Sequence, residues 1–440
     1  MKNLCFLFFL LFLSNGYAQN TNKIYTEDID NFWMAYDKII HSDSYDERLA
    51  IINKFYIEPG SKGLHAFMKA RDYNDSLYIE LIESYPKFWN SVRQNTLFIK
   101  NRLQDLELAV NQLGEIYPDL EPAEMYFTIG GLRSGGTVNG NMVLVGAEIA
   151  AADSLTDVSE FDNGWLKIVF AKQSLNNIVY LNVHEYIHTQ QTGYGNTVLS
   201  KSIHEGACDF MAELVLDEPI QTQYIDFGRA NNELVKSQFE IQMLTENISN
   251  WLYNGGQKGE MADLGYYIGY EICKSYFNNA SNKSKAIKDI IELDLEDGEA
   301  VIDFLDSSRY FDEPVDRDKL LALYAKECPE IIGILPFENG ANEVDPLTDE
   351  LRISFSKEMV PGSMSISFSE NGEQSVSEKA KSNMPIKNVK GYENNDKTLV
   401  LGLSLEPNRK YEFLITNKSF KSKDGYPLAS ESFVIYFSTK

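Results

Sequence analysis

The stretch "VHEYIHTQQ" (residues 183–191) concentrates the reactive side chains of this chain. Five histidines serve 440 residues, and three of them, His184, His188 and His204, fall within 21 residues. His184-Glu185-Tyr186-Ile187-His188 is an HExxH pattern. On a helix, residues four apart lie on one face, one turn from each other. Two imidazoles so placed can reach one ion at about 2.0–2.1 Å. Glu185 is rotated away by one residue, so its carboxylate flanks the ion without ligating it. From there it can take a proton from water and pass it to a leaving amine. Zinc suits this chemistry because it lowers the pKa of its water to about 7. The competing reading is two surface histidines on an ordinary amphipathic helix. Val179, Val183 and Ile187 recur every four residues, which predicts a helix from about Trp165 to Gln191, ended by Gly193 and Gly195.

A catalytic zinc needs a third protein ligand and an open fourth position. "SIHEGACDFMAELV" supplies candidates on a second helix, expected over about His204 to Leu216. Glu205 follows His188 by seventeen residues. Asp209 lies one turn further along the same face and can accept a hydrogen bond from the outer N–H of a ligand histidine. His204 competes with Glu205 as third ligand. Cys208 points away from Glu205 in helical projection and reads as a small buried residue. The tetrahedral intermediate of amide hydrolysis also needs a donor for its oxyanion. "GYYIGY" offers Tyr266, Tyr267 and Tyr270; Tyr266 is favoured among them, against core packing as the plainer use of all three.

HEYIH followed by Glu205-x-x-x-Asp209 resembles the gluzincin zinc metallopeptidases, and "HEGACDF" resembles their NEGxAxY-type segment. The resemblance implies that His184, His188 and Glu205 hold one Zn2+ per chain, that Glu185 is the catalytic base and that Asp209 orients a ligand. "DIDNFWMAYDKI", "YFTIGGLRSGGT" and "HEYIHTQQ" together resemble predicted Zn-dependent proteases of Bacteroidota related to a gliding-motility lipoprotein, over roughly residues 26 to 330. Asparagine is frequent in the family where this chain has His204. The metzincin pattern HExxHxxGxxH is absent: Gln191 and Tyr194 stand where its glycine and histidine would be.

The rest of the chain sets the context. It opens with Lys2, an unbroken apolar run Leu4–Leu13, and Gly16 and Ala18 in a small-residue cleavage pattern. That reads as a signal peptide over residues 1–18 rather than a membrane anchor, because ten apolar residues are too few to span a bilayer. A secreted or periplasmic protein without a transmembrane segment is expected. The formal charge of −25 makes nucleic acid a poor partner. Cys208, Cys273 and Cys328 are too scattered for a disulfide framework.

Residues 26 to 120 carry helical apolar stripes broken at Pro86 and Pro118. Two strands, Met125–Ile129 and Met142–Val145, flank a Gly-rich connection that lacks any phosphate-loop pattern. From residue 351 onward, alternating runs such as "LRISFS", "YEFLITN" and "SFVIYFST" predict a small β-sandwich. "LPFENGANEVDPLTDELRISFSKEM" resembles bacterial Ig-like domains.

The fold expected is therefore α+β: a mainly helical, zincin-like metallopeptidase domain with a small sheet (residues 19–332), then an all-β Ig-like sandwich (residues 333–440). The function expected is a zinc metallopeptidase acting on a peptide held near Gly130–Gly146. The alternative is a non-catalytic binding or assembly protein of the cell envelope on the same scaffold.

Overall fold

The computed structural model describes residues 23–162, 164–172, 174–255, 261–368 and 384–440. The expected signal peptide lies outside the described residues. The architecture is α+β: a mainly helical body with one small sheet, followed by a strand-rich C-terminal part.

The first helix, Glu27–Ile39, buries Ile29, Phe32, Trp33, Tyr36 and Ile39, the stripe expected from their 3- and 4-residue spacing. Pro86 begins a helix at its first position, where its missing N–H is no loss, and Pro118 follows the end of another. The first helix and the helix Lys62–Arg71 pack on a four-stranded sheet of order β1-β2-β4-β3. Its strands are β1 (Lys23–Tyr25), β2 (Glu124–Thr128), β3 (Gly136–Asn139) and β4 (Met142–Gly146). The first three in spatial order run parallel; β3 runs antiparallel to β4 and forms the edge.

β3 occupies the Gly-rich connection, where the sequence pattern offered no strand. Its residues Gly-Thr-Val-Asn lack apolar alternation because an edge strand is half solvated and is specified by its pairing with β4.

The helix expected from Trp165 to Gln191 is broken. Gly164–Lys172 is one helix; a 3₁₀ turn, Leu175–Asn177, separates it from the motif helix Ile178–His188. The Ser174 hydroxyl accepts the N–H of Asn176, the local side-chain bond by which serine competes with a continuing helix. The motif helix also stops at His188, short of Gly193, and Thr189 and Gln190 continue it only as a tighter turn, with N–H groups bonded to the carbonyls three residues back. The next helix, Val198–Leu216, starts six residues earlier than expected, at a capping box between Thr197 and Ser200.

That helix crosses the tyrosine-bearing helix Leu264–Asn279 at backbone contact. A Cβ on Gly206 would lie 2.1 Å from the Tyr270 nitrogen, and one on Gly269 would lie 1.7 Å from the Ser202 oxygen. Only two glycines allow the approach.

The C-terminal part has its own apolar core, built on Leu351, Ile353, Leu401, Phe413, Ile415 and Ile435. It is a sandwich of two antiparallel sheets. One has the order β5-β6-β9-β8, from β5 (Ile331–Leu335), β6 (Glu350–Phe355), β8 (Ile386–Glu393) and β9 (Thr398–Leu403). The other has the order β11-β10-β7, from β7 (Ile366–Phe368), β10 (Lys410–Thr416) and β11 (Ser432–Ser438). Among the described residues no helix is long and apolar enough to cross a membrane.

Gly269→Ala is expected to destabilise the protein by at least the about 1–3 kcal/mol typical of overpacking. Gly298→Ala, at a helix start with open space around it, is the control and should stay within about 0.5 kcal/mol. Thermal melts of the two variants check this.

Candidate metal centre

The motif helix buries Val179, Asn182, Val183, Tyr186 and Ile187 and presents His184 and His188 to the helix Val198–Leu216. Their Nε2 atoms lie 3.1 Å apart. Glu205 Oε2 sits 3.4 Å from His184 Nε2 and 3.3 Å from His188 Nε2. Two donors each about 2.0–2.1 Å from one tetrahedral ion are separated by about 3.3 Å. The three atoms thus form one triangular face of a tetrahedron of zinc's size, and the donor set is one that zinc accepts.

Both histidines are aimed from behind. His184 Nδ1 is 2.7 Å from Asp209 Oδ1, and the fully buried Asp209 carboxylate also accepts the hydroxyls of Tyr180 (2.6 Å) and Tyr224 (2.8 Å). His188 Nδ1 is 2.7 Å from Gln191 Oε1, and Gln191 Nε2 donates to the His204 carbonyl (2.8 Å). Each partner accepts, so each Nδ1 carries a proton, which leaves each Nε2, the nitrogen nearest Glu205, as the atom that can hold either a second proton or a metal ion.

The electrostatics agree with this pairing. Burial pushes the His184 imidazolium down, but the hydrogen bonds it donates to Asp209 and Glu205 outweigh this and hold the group well above the usual histidine range. His188 is also raised: burial opposes the charge and Glu205 supplies it. Burial alone would push Glu205 up, yet the charge of His188 and the bonds from His184 and His188 hold it well below the usual carboxylate range. Protons and a metal ion would therefore compete for the same imidazole nitrogens, and metal affinity should fall with pH.

The other candidates stand around this triangle. His204 stacks on His188 (ring centroids 4.4 Å apart, 22° between planes), with its Nδ1 3.6 Å from Glu205 Oε1. His188, His204 and Glu205 offer donor atoms within 4.8 Å of one another, as do His184, His188 and Cys208. Cys208 Sγ, however, lies 3.3 Å from His188 Nδ1, the nitrogen on the far side from Glu205. Burial pushes its thiol well above the usual range, so it is a poor thiolate donor. The Tyr266 ring lies 6.3 Å from that of His184.

Glu185 is half-buried and lies against the edge strand: a Cβ on Gly136 would meet its Oε1 at 2.7 Å. A cavity of about 110 Å³ opens there between β3 and the motif helix, lined by Gly135, Gly136, Leu181, Asn182 and Glu185. A larger cleft of about 610 Å³ shares only Tyr194 with the cluster and lies outside it. The approach to β3 is tied down by a second buried carboxylate. Glu148 accepts the N–H groups of Gly130 (2.8 Å) and Leu132 (3.2 Å), fixing the segment that leads to the edge strand.

Two further residues meet the cluster beyond those its motifs mark. Gln191 follows His188 by three residues, a spacing that could have marked it. Tyr253 lies 48 residues from Glu205 and donates its hydroxyl to Glu205 Oε1 at 2.5 Å, a contact no local pattern announces.

Residues 88–297 match the profile of a predicted Zn-dependent protease family (DUF2268). Residues 325–439 match a bacterial Ig-like domain. The protease profile spans the motif helix, Glu205, Asp209, Gln191 and Tyr253, and it supports both zinc and hydrolysis. No curated protein matches the chain. Three solved structures of the S-layer protein SbsC align with it. The first is 10% identical, with a TM-score of 0.18, covering 60% of this chain and 33% of its own. The N-terminal part of SbsC is 11% identical, with a TM-score of 0.17, covering 94% and 71%. Its domains 1–6 are 12% identical, with a TM-score of 0.18, covering 77% and 45%. This chain spans about a third of the first, and at such scores these alignments carry no argument.

Asp209→Asn leaves three donors competing for one oxygen. Zinc affinity is expected to fall about 10–100-fold, measured by chelator competition. Burial also pushes the Glu148 carboxyl up to about 7, against the lowering effect of its backbone donors. Between the ordinary carboxylate range and about 7, the folded chain holds a proton that the unfolded chain releases. This contribution to stability is therefore greatest at low pH and declines as pH rises through that window. Glu148→Gln should lose the decline while costing about 1–3 kcal/mol for a backbone N–H left without an acceptor. Melts of both proteins from about pH 5 to about pH 8 test this.

Proposed function

We propose that this protein is a zinc-dependent metallopeptidase acting outside the cytoplasm, secreted or periplasmic, with a metallopeptidase domain over residues 19–332 and an Ig-like sandwich over residues 333–440. The observation that carries the reading is the triangle of His184 Nε2, His188 Nε2 and Glu205 Oε2, with edges of 3.1–3.4 Å. The N-terminal apolar run and the Ig-like match support the location.

In this reading His184, His188 and Glu205 hold one Zn2+ per chain. Zinc, when bound, lowers the pKa of its water to about 7 and so supplies a nucleophile at neutral pH. Glu185 takes the proton of the attacking water on its carboxylate and returns it to the leaving amine nitrogen. Its position against Gly136 favours a peptide laid along β3, which ends the sheet and has no further strand beside it among the described residues. Asp209 and Gln191 keep the ligand imidazoles in the metal-binding tautomer. The intact Glu185 also favours an enzyme over a binding protein on the same scaffold.

The purified protein is expected to contain about one zinc per chain by elemental analysis and to cleave members of a peptide library. Glu185→Gln should keep the zinc and lose about 10²–10⁴-fold in turnover. A chain that takes up no zinc at neutral pH would overturn the reading. Turnover unchanged by Glu185→Gln would remove Glu185 from the chemistry.

A further inference from the structure

We propose that the C-terminal sandwich is a working part of the metal site: its Asp424–Tyr426 loop braces the segment that holds Tyr253 on Glu205, and Tyr253 fixes Glu205 as a one-oxygen ligand. The inference rests on the zinc reading above.

Glu205 has two oxygens and they face different partners. Oε2 faces the two imidazoles, and Oε1 accepts the Tyr253 hydroxyl at 2.5 Å. Tyr253 gives its one proton to that carboxylate, so in its 2.6 Å contact with Tyr194 the Tyr194 hydroxyl is the donor. An Oε1 engaged in this way is not free to swing onto the ion. The coordination position it would have taken stays open, which a catalytic zinc requires.

Tyr253 does not hold this position by local preference. Its φ is +55°, a left-handed conformation unfavourable for a tyrosine, so its surroundings must impose it. On the C-terminal side, the Asn254 N–H donates to Asp263 and the Asp263 N–H donates back to the Asn254 side chain.

On the N-terminal side the Gly265 N–H donates to the Trp251 carbonyl (2.8 Å) within the helical body, and the sandwich adds a second hold. Asn247 Nδ2 donates to the Gly425 carbonyl (3.2 Å), and Asn250 Nδ2 donates to the Asp424 carbonyl (3.4 Å). Gln242 gathers the same segment: its Oε1 accepts from Asn250 (2.9 Å) and from the buried Trp251 indole (3.1 Å), while its Nε2 donates to the Tyr426 hydroxyl (3.4 Å). Gly425 has φ +86°, and a Cβ there would lie 2.0 Å from Asn250 Oδ1, so the loop approaches as closely as a glycine permits. Tyr253 is two residues beyond Trp251. The chain of contacts from sandwich to Glu205 is therefore short and continuous. Tyr253 acts through Glu205 and is a positioning residue.

The test uses the full chain. Zinc affinity is measured by chelator competition, and the visible spectrum is recorded with Co2+ in place of zinc, since four-coordinate Co2+ absorbs more strongly than five-coordinate. Tyr253→Phe is expected to weaken zinc about tenfold and to dim the Co2+ band as Oε1 joins the coordination. Asn247→Ala with Asn250→Ala should move both readouts in the same direction, by a few-fold. Gly425→Ala, from the sandwich side of the contact, should do likewise. Circular dichroism confirms that each variant is folded. A Co2+ spectrum unchanged by Tyr253→Phe overturns the role of Tyr253. A spectrum changed by Tyr253→Phe but by neither brace variant overturns the role of the sandwich. A wild-type chain that binds neither metal overturns the zinc reading itself.

Discussion

The backbone contact between Gly206 and Gly269 is the constraint on which the rest of the centre depends. It brings two helices closer than any side chain would allow, at the turn adjacent to Glu205. The helix Val198–Leu216 then has one face against the tyrosine helix and another against the motif helix. Glu205 and Asp209 project from that second face, one turn apart, to the two nitrogens of His184: Glu205 near Nε2 and Asp209 near Nδ1. A larger residue at either glycine would push the helices apart and displace both carboxylates together.

Such a cluster is a poor device for stability. Two buried carboxylates and two buried imidazoles must be taken out of water, and their mutual attraction repays little more than that penalty. Apart from His204 Nδ1, which is buried without a hydrogen-bond partner, the polar groups are well matched. Asp209 collects three donors, Glu205 is met on both oxygens, and each metal-facing imidazole has an acceptor behind it. Alignment of this quality on an unfavourable burial is what a pre-organised ligand set requires, since a metal can then bind without reorganising its surroundings. Perturbed titratable groups converging on one point are likewise typical of functional sites.

The edge strand borders the centre directly, and the sandwich touches the segment that leads to Tyr253. On one side Gly136 lets the Glu185 carboxylate lie directly against β3, so the proposed base and an open strand edge share one cavity. On the other side a loop of the Ig-like domain reaches the segment leading to Tyr253. An Ig-like domain at the end of such a chain reads naturally as a spacer or adhesion module. Its loop contacts with Asn247 and Asn250 are what the proposed link to Tyr253 rests on.

The sequence by itself determined whatever depends on helical period. His184, Glu185 and His188, and then Glu205 and Asp209, were legible because four residues make about one turn, and a turn is a local property. The fold class and the sandwich were legible because apolar stripes and alternations follow the same short periods. Tertiary structure alone decided the rest. Tyr253 and Glu205 are 48 residues apart, and nothing local requires them to meet. β3 has no apolar alternation because its partner β4 specifies it. Gln191 reaches His188 only because the motif helix stops early. The directions in which the donor atoms of Glu205, His204 and Cys208 face are likewise set by packing alone. His204 stacks flat on His188 and Cys208 sits behind it, while Glu205 meets both Nε2 atoms at a tetrahedral spacing. Spacing along a chain restricts which residues can share a face; only packing between helices sets the direction in which their atoms point.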